Sequence, residues 1–201
     1  SPIAFRLDRY SYKCAGILSQ VAGEWGLPPV PPYKSRRREA KMEINTKDVT
    51  LVAIFAALYA VLGVVFAPIG FLALQFRIAG IIRPAVAKKP ILIVGYTIGV
   101  FITNLFSPFT GFLELVFMPL MSLVAGLAGY YAAKFFGKSY MVAGAVIAVI
   151  IPISVSWMLN QLFELPIVAT LPGLIVSEQI VNGLGSILFM AVASRYRWYE
   201  G

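Results

Sequence analysis

The sequence predicts an all-α membrane protein with six transmembrane helices and both termini in the cytoplasm. Three observations carry this. Of 201 residues, 59% are hydrophobic and only 13% charged, whereas soluble domains carry about 25% charged residues. Six apolar runs follow residue 48, separated by short connections. Among the connections, Lys and Arg occur only in alternate ones, as the positive-inside rule requires.

Residues 1–41 differ from the rest. They hold eight Lys/Arg and three acids, a Pro-rich run over 27–32 and the basic cluster Lys34, Arg36, Arg37 and Arg38. No apolar stretch there is long enough to span, and no apolar core follows a basic start as in a signal peptide. This segment reads as a flexible or non-native extension, with Met42 opening a membrane domain over 42–201.

A span needs about 20 apolar residues. The first predicted span covers 49–67, with Thr46 and Asp48 as helix-start signals. The second is short, 71–86, and contains Arg77. The third covers 90–106, the fourth 111–135, the fifth 140–160 and the sixth 167–193. Lys47 precedes the first span. Lys88 and Lys89 follow the second, Lys134 and Lys138 lie at the fourth–fifth turn, and Arg195 and Arg197 follow the sixth. The connections near 67–71, 106–111 and 161–167 contain neither Lys nor Arg. Both termini therefore belong inside, which an even number of spans also demands. Tyr196, Trp198 and Tyr199 suit the inner interface and Trp157 the outer one.

With this topology, Gln75 and Arg77 lie about 6–9 Å into the second span from outside, at 1.5 Å per residue. Asn104 ends the third span on the same side, and Glu114 begins the fourth just after Ser107-Pro108. Asn160, Gln161 and Glu164 crowd the end of the fifth. Glu178 and Asn182 share a face of the sixth at i, i+4. Polar residues thus concentrate in one half of the membrane, which favours a pocket open on one side over a proton or ion path through the full thickness. Gln75, Arg77, Asn104, Glu114, Asn160, Glu178 and Asn182 are the candidate ligand-binding residues. Arg77 with Glu114 also admits a purely structural pair, and 160–164 an ordinary wet loop. A carboxylate in mid-span, as at Glu178, costs about 2.5 kcal/mol or more unless it faces a partner or a cavity.

The first span also carries Ala53, Ala56, Ala57 and Ala60, two overlapping pairs at the four-residue spacing that allows close helix approach in lipid. This face is expected to meet a partner helix. Ala125, Gly129 and Ala133 form a similar row in the fourth span and suit internal packing.

Several chemistries are excluded. There is no His, which removes the commonest metal ligand and proton relay. The single Cys14 excludes an internal disulfide and a cysteine metal cluster. Gly137-Lys138-Ser139 resembles the end of a phosphate loop, but Ala132 stands where that motif needs Gly. No enzyme motif and no cofactor site is read, and the net charge of +8 is not a nucleic-acid footprint, because it lies in the tail and the short loops. If the protein moves a solute actively, another chain supplies the energy.

The order AALYAVLGVVFAPIGFLALQFRIAG, then NLFSP, then a carboxylate after FTGF, resembles the QueT-type substrate-binding subunits (S components) of energy-coupling factor transporters. The resemblance covers about 49–126 closely and the last two spans by topology. It implies a six-helix bundle in the plasma membrane with an outward pocket for a vitamin-like small molecule, a class that includes queuosine precursors and 7-deazaguanines. It further implies docking through the alanine-rich first helix onto a transmembrane coupling subunit and two ATPase subunits. The other readings left open are a non-transporting membrane scaffold and a stand-alone secondary carrier. The lack of internal repeats and of polar groups in the inner half counts against the carrier.

Overall fold

A computed structural model describes residues 46–70, 76–107, 111–196 and 198–199. The expectations for residues 1–41 and for Gln75 fall outside these. The described residues build α1 (Thr46–Val65), a short α2 (Ala67–Gly70), a 3-10 helix (Ile78–Ala87), α3 (Leu92–Leu105), a π-helical turn (Leu113–Phe117) running into α4 (Met118–Phe135), α5 (Tyr140–Phe163) and α6 (Ile167–Arg195). Four helical stretches are long and apolar enough to cross a membrane: Thr46–Val65, Leu113–Phe135, Tyr140–Phe163 and Ile167–Arg195. Their bounds follow the predicted runs within a few residues, because an unbroken apolar stretch in lipid must satisfy its own backbone as a helix.

The second predicted span is different. In the described part of the predicted 71–86 span the chain forms a ten-residue 3-10 helix over Ile78–Ala87. Pro84 lies inside it and has no N–H to give an i→i−4 bond. The observed ladder is i→i−3: Gly80 N donates to Arg77 O at 2.7 Å and Lys88 N to Ala85 O at 3.2 Å. At 2.0 Å per residue this element is about 20 Å long, shorter than a full span. It packs against α1, α3, α4, α5 and α6, and its Ala79, Ile82, Ala85, Val86 and Ala87 are buried. The bundle is therefore built around it.

Two further features fix the frame. On α3, Gly95 and Gly99 let the α1 backbone approach so closely that a Cβ at Gly95 would stand 2.8 Å from Val52 O, and one at Gly99 2.9 Å from Ala56 O. This pair at i, i+4 is the small-residue contact that joins α1 to α3. At one end of the bundle, Trp198 turns back against Phe55 of α1 and Phe189 of α6, with ring centroids 6.2 and 5.7 Å away. Lys88 Nζ lies over the rings of Tyr140 and Tyr199, at 5.6 and 5.3 Å, and Lys89 Nζ donates to Asp48 Oδ1 at 3.0 Å. Trp198 is thus a packing residue of this end, while Tyr196 is exposed. The row Ala125, Gly129 and Ala133 is buried in the bundle.

Candidate functional site

The buried charged residues among those described are Arg77, Arg83, Glu114 and Glu178. They form two polar layers, both carried by the 3-10 segment. Arg77 immediately precedes that helix, and Arg83 follows six residues later, two 3-10 turns or about 12 Å along the axis.

The first layer joins three elements. The Arg77 guanidinium donates to Asn104 Oδ1 at the end of α3. Asn104 Nδ2 donates in turn to the backbone carbonyl of Glu114 at 2.6 Å. Glu114 sits in the π-helical turn that opens the α4 span, a local widening often found at functional sites. Its carboxylate Oε2 is buried and accepts no hydrogen bond from the described residues. A buried acceptor without a donor is costly in any fold, about 1–3 kcal/mol and more when charged.

The second layer lies deeper. Arg83 Nη1 donates to Glu178 Oε2 at 2.6 Å, and Arg83 Nη2 donates to the Tyr59 hydroxyl at 2.7 Å. Asn182 Nδ2 donates to the same Glu178 oxygen at 2.8 Å. The predicted face shared by Glu178 and Asn182 is thus present as a direct contact. Arg83, Tyr59 and Asn182 are fully buried, so the layer ties the 3-10 helix to α1 and α6. Beside it, the Tyr96 hydroxyl donates to the Ser122 carbonyl and links α3 to α4.

Of the predicted ligand-binding residues, the structure brings Arg77, Asn104 and Glu114 together in the first layer, and Glu178 and Asn182 in the second. Asn160 is not brought in. Its amide donates to Leu165 O at 2.9 Å, closing the α5–α6 turn in which Glu164 takes a left-handed conformation at φ 55°. The local turn bond claims that side chain. Arg83 and Tyr59 were missed by the sequence reading. Their signal was present, a guanidinium inside an apolar segment and a lone phenol in an otherwise apolar span, but Arg83 lies close enough to Lys88-Lys89 to pass for a loop charge.

The alanine set of α1 divides. Ala56 and Ala60, two of the four expected to face a partner, are buried in the protein's own bundle. Ala56 lies against α3, where the glycines draw the two backbones together. Ala53 and Ala57 are exposed, beside the outward Ile54, Leu58 and Val61.

A family model described as QueT transporter matches residues 49–194. No curated protein and no solved structure gave a match. The match spans every described helix but the first three residues of α1 and the last of α6. With four helices of spanning length, it makes this a multi-pass membrane protein with a transport role rather than an enzymatic one.

Proposed function

The chain belongs to the QueT transporter family, and on that premise we propose that it is the substrate-binding membrane subunit of an energy-coupling factor uptake transporter. It captures a vitamin-like small molecule, a 7-deazaguanine related to queuosine precursors, from outside the cell. The observation that carries this is the buried Oε2 of Glu114, to which no described residue donates, in one layer with Arg77 and Asn104. The edge of such a heterocycle offers N–H donors and a carbonyl, which a carboxylate can accept from and a guanidinium or amide can donate to.

The charge distribution supports an orientation with both termini inside. Lys47, Lys88, Lys89, Lys134, Lys138 and Arg195 flank helix ends on one side, and the turns at the other side carry no Lys or Arg. In this reading the four long helices span, and α3 and the 3-10 segment complete a six-segment bundle. The first polar layer then faces outward.

The test is equilibrium binding of 7-deazaguanine to the purified full-length protein. Losing a buried charged partner costs about 1–3 kcal/mol, so Arg77→Ala and Glu114→Ala should each weaken binding by about tenfold or more. Unchanged affinity in both variants would remove these residues from the site, and failure of the parent protein to bind any ring of this class would remove the ligand.

Partners in trans are a transmembrane coupling subunit and two ATPases, reached through the outward face of α1. Close packing of small side chains drives much of helix association in lipid, and Ala57 is exposed among branched neighbours. Ala57→Leu is expected to abolish co-purification with the coupling subunit, and uptake with it, while ligand binding by the isolated protein survives. Normal assembly and uptake in this variant would refute the docking face.

A further inference from the structure

The charge balance of the buried layers points to the charge of the ligand. Resting on the reading that Arg77, Asn104 and Glu114 hold a heterocycle, we infer that the site selects an uncharged ligand and discriminates against a cationic form of the same ring. Among the described residues the buried charged set is two arginines and two glutamates, so these layers are balanced before any ligand enters. Between Thr46 and Tyr196 the undescribed stretches, 71–75 and 108–110, contain no charged residue, being Phe-Leu-Ala-Leu-Gln and Pro-Phe-Thr. Glu164, the other carboxylate toward that end, is exposed in the α5–α6 turn.

The two carboxylates are not equivalent. Glu178 Oε2 accepts from both Arg83 and Asn182, and its charge is matched by the Arg83 guanidinium in contact with it. Of the two carboxylates, Glu114 alone keeps a buried oxygen that accepts from no described residue; the other such oxygen in the two layers, Asn182 Oδ1, belongs to a neutral amide. A ring edge with N–H donors uses the Glu114 oxygen. A ligand that also carried an ammonium group would then find no second carboxylate to neutralise it, and it would sit in the same layer as the Arg77 guanidinium. Bringing an unmatched charge into a low-dielectric interior carries a desolvation penalty that a neutral substituent escapes. The uncharged ligand is therefore favoured by what the site lacks, a second free anion.

Three probes sharing one ring separate the terms: a 7-deazaguanine with a neutral nitrile at position 7, the same ring with an aminomethyl cation, and the N-acetylated aminomethyl compound. They are titrated by calorimetry into the full-length protein in lipid nanodiscs. The nitrile compound should bind about tenfold or more tighter than the amine. Acetylation removes the charge while adding bulk, and it should recover affinity relative to the amine. In Arg77→Gln, which makes the buried set net negative, the preference for the nitrile should fall to about threefold or less or invert. Because each ratio is internal to one protein sample, loss of folded material does not mimic the effect. Equal or tighter binding of the amine to the parent overturns the inference, as does acetylation that fails to improve on the amine, or an unchanged ratio in Arg77→Gln. Binding of none of the three overturns the ligand class itself and this inference with it, an outcome distinct from binding without charge preference.

Discussion

Glu178→Ala is expected to destabilise the protein by about 3–5 kcal/mol, the cost of leaving a buried charge without its counter-ion. The charge concerned is Arg83, which is fully buried and donates at 2.6 Å to Glu178 Oε2. Once the carboxylate is gone, Tyr59 at 2.7 Å is the remaining hydrogen-bond partner of its terminal nitrogens, and a phenol oxygen supplies a dipole rather than a charge. The guanidinium cannot move to solvent without leaving the 3-10 helix, which other helices surround. Thermal unfolding in detergent, followed by circular dichroism, should register a large fall in midpoint. Two companion variants separate charge from packing. Tyr59→Phe removes one hydrogen bond to a charged group and should cost less, about 1.5–3 kcal/mol. Combining Glu178→Ala with Arg83→Met removes both charges, and should be less destabilised than Glu178→Ala alone. A Glu178→Ala variant that melts with the parent would show that Arg83 does not depend on this carboxylate.

The same residues mark how far the sequence could be read. The four long helices were legible because a run of apolar residues long enough for lipid is a local property. Glu178 with Asn182 was legible because helical spacing alone brings them together. Arg77, Asn104 and Glu114 could be assigned to one level from depth, since each stands near the same end of its segment. Arg83 could not be placed. Its partners are 24 and 95 residues away in the chain, and its depth depends on the 3-10 rise that Pro84 helps impose. The alanines of α1 show the same limit in another form. Ala53/Ala57 and Ala56/Ala60 are equally good four-residue pairs, pointing to different sides of one helix. What decides between them is Gly95 and Gly99 on α3, which draw the Ala56 side inward. Asn160 stands apart from both layers for the opposite reason, because its amide is held by a local bond to Leu165 O five residues away.

Gly185→Ala should be the most disruptive of the smallest possible changes, because it separates α6 from the 3-10 helix. A Cβ at Gly185 would overlap the Ile81 carbonyl oxygen and lie 2.8 Å from Ile81 C and 3.0 Å from Ile81 Cα. All three are backbone atoms, so no side-chain rotation relieves the clash, and one segment must shift. Overpacking of this kind costs about 1–3 kcal/mol. That loss works against the helix propensity of alanine, which favours it over glycine by about 1 kcal/mol. The shift also has a functional consequence. Ile81 lies between Arg77 and Arg83 on the segment that carries both polar layers, and Glu178 lies two helical turns before Gly185 on α6. Moving the two elements apart lengthens the Arg83–Glu178 contact and displaces Arg77 from Asn104. Gly183→Ala provides the matched control, since a Cβ there meets nothing within 4 Å, and it should leave the melting midpoint unchanged or raise it. The expected pattern is a lowered midpoint and weakened ligand binding for Gly185→Ala alone. If both variants melt alike and bind alike, the close approach of α6 to Ile81 is not what holds the two polar layers in place.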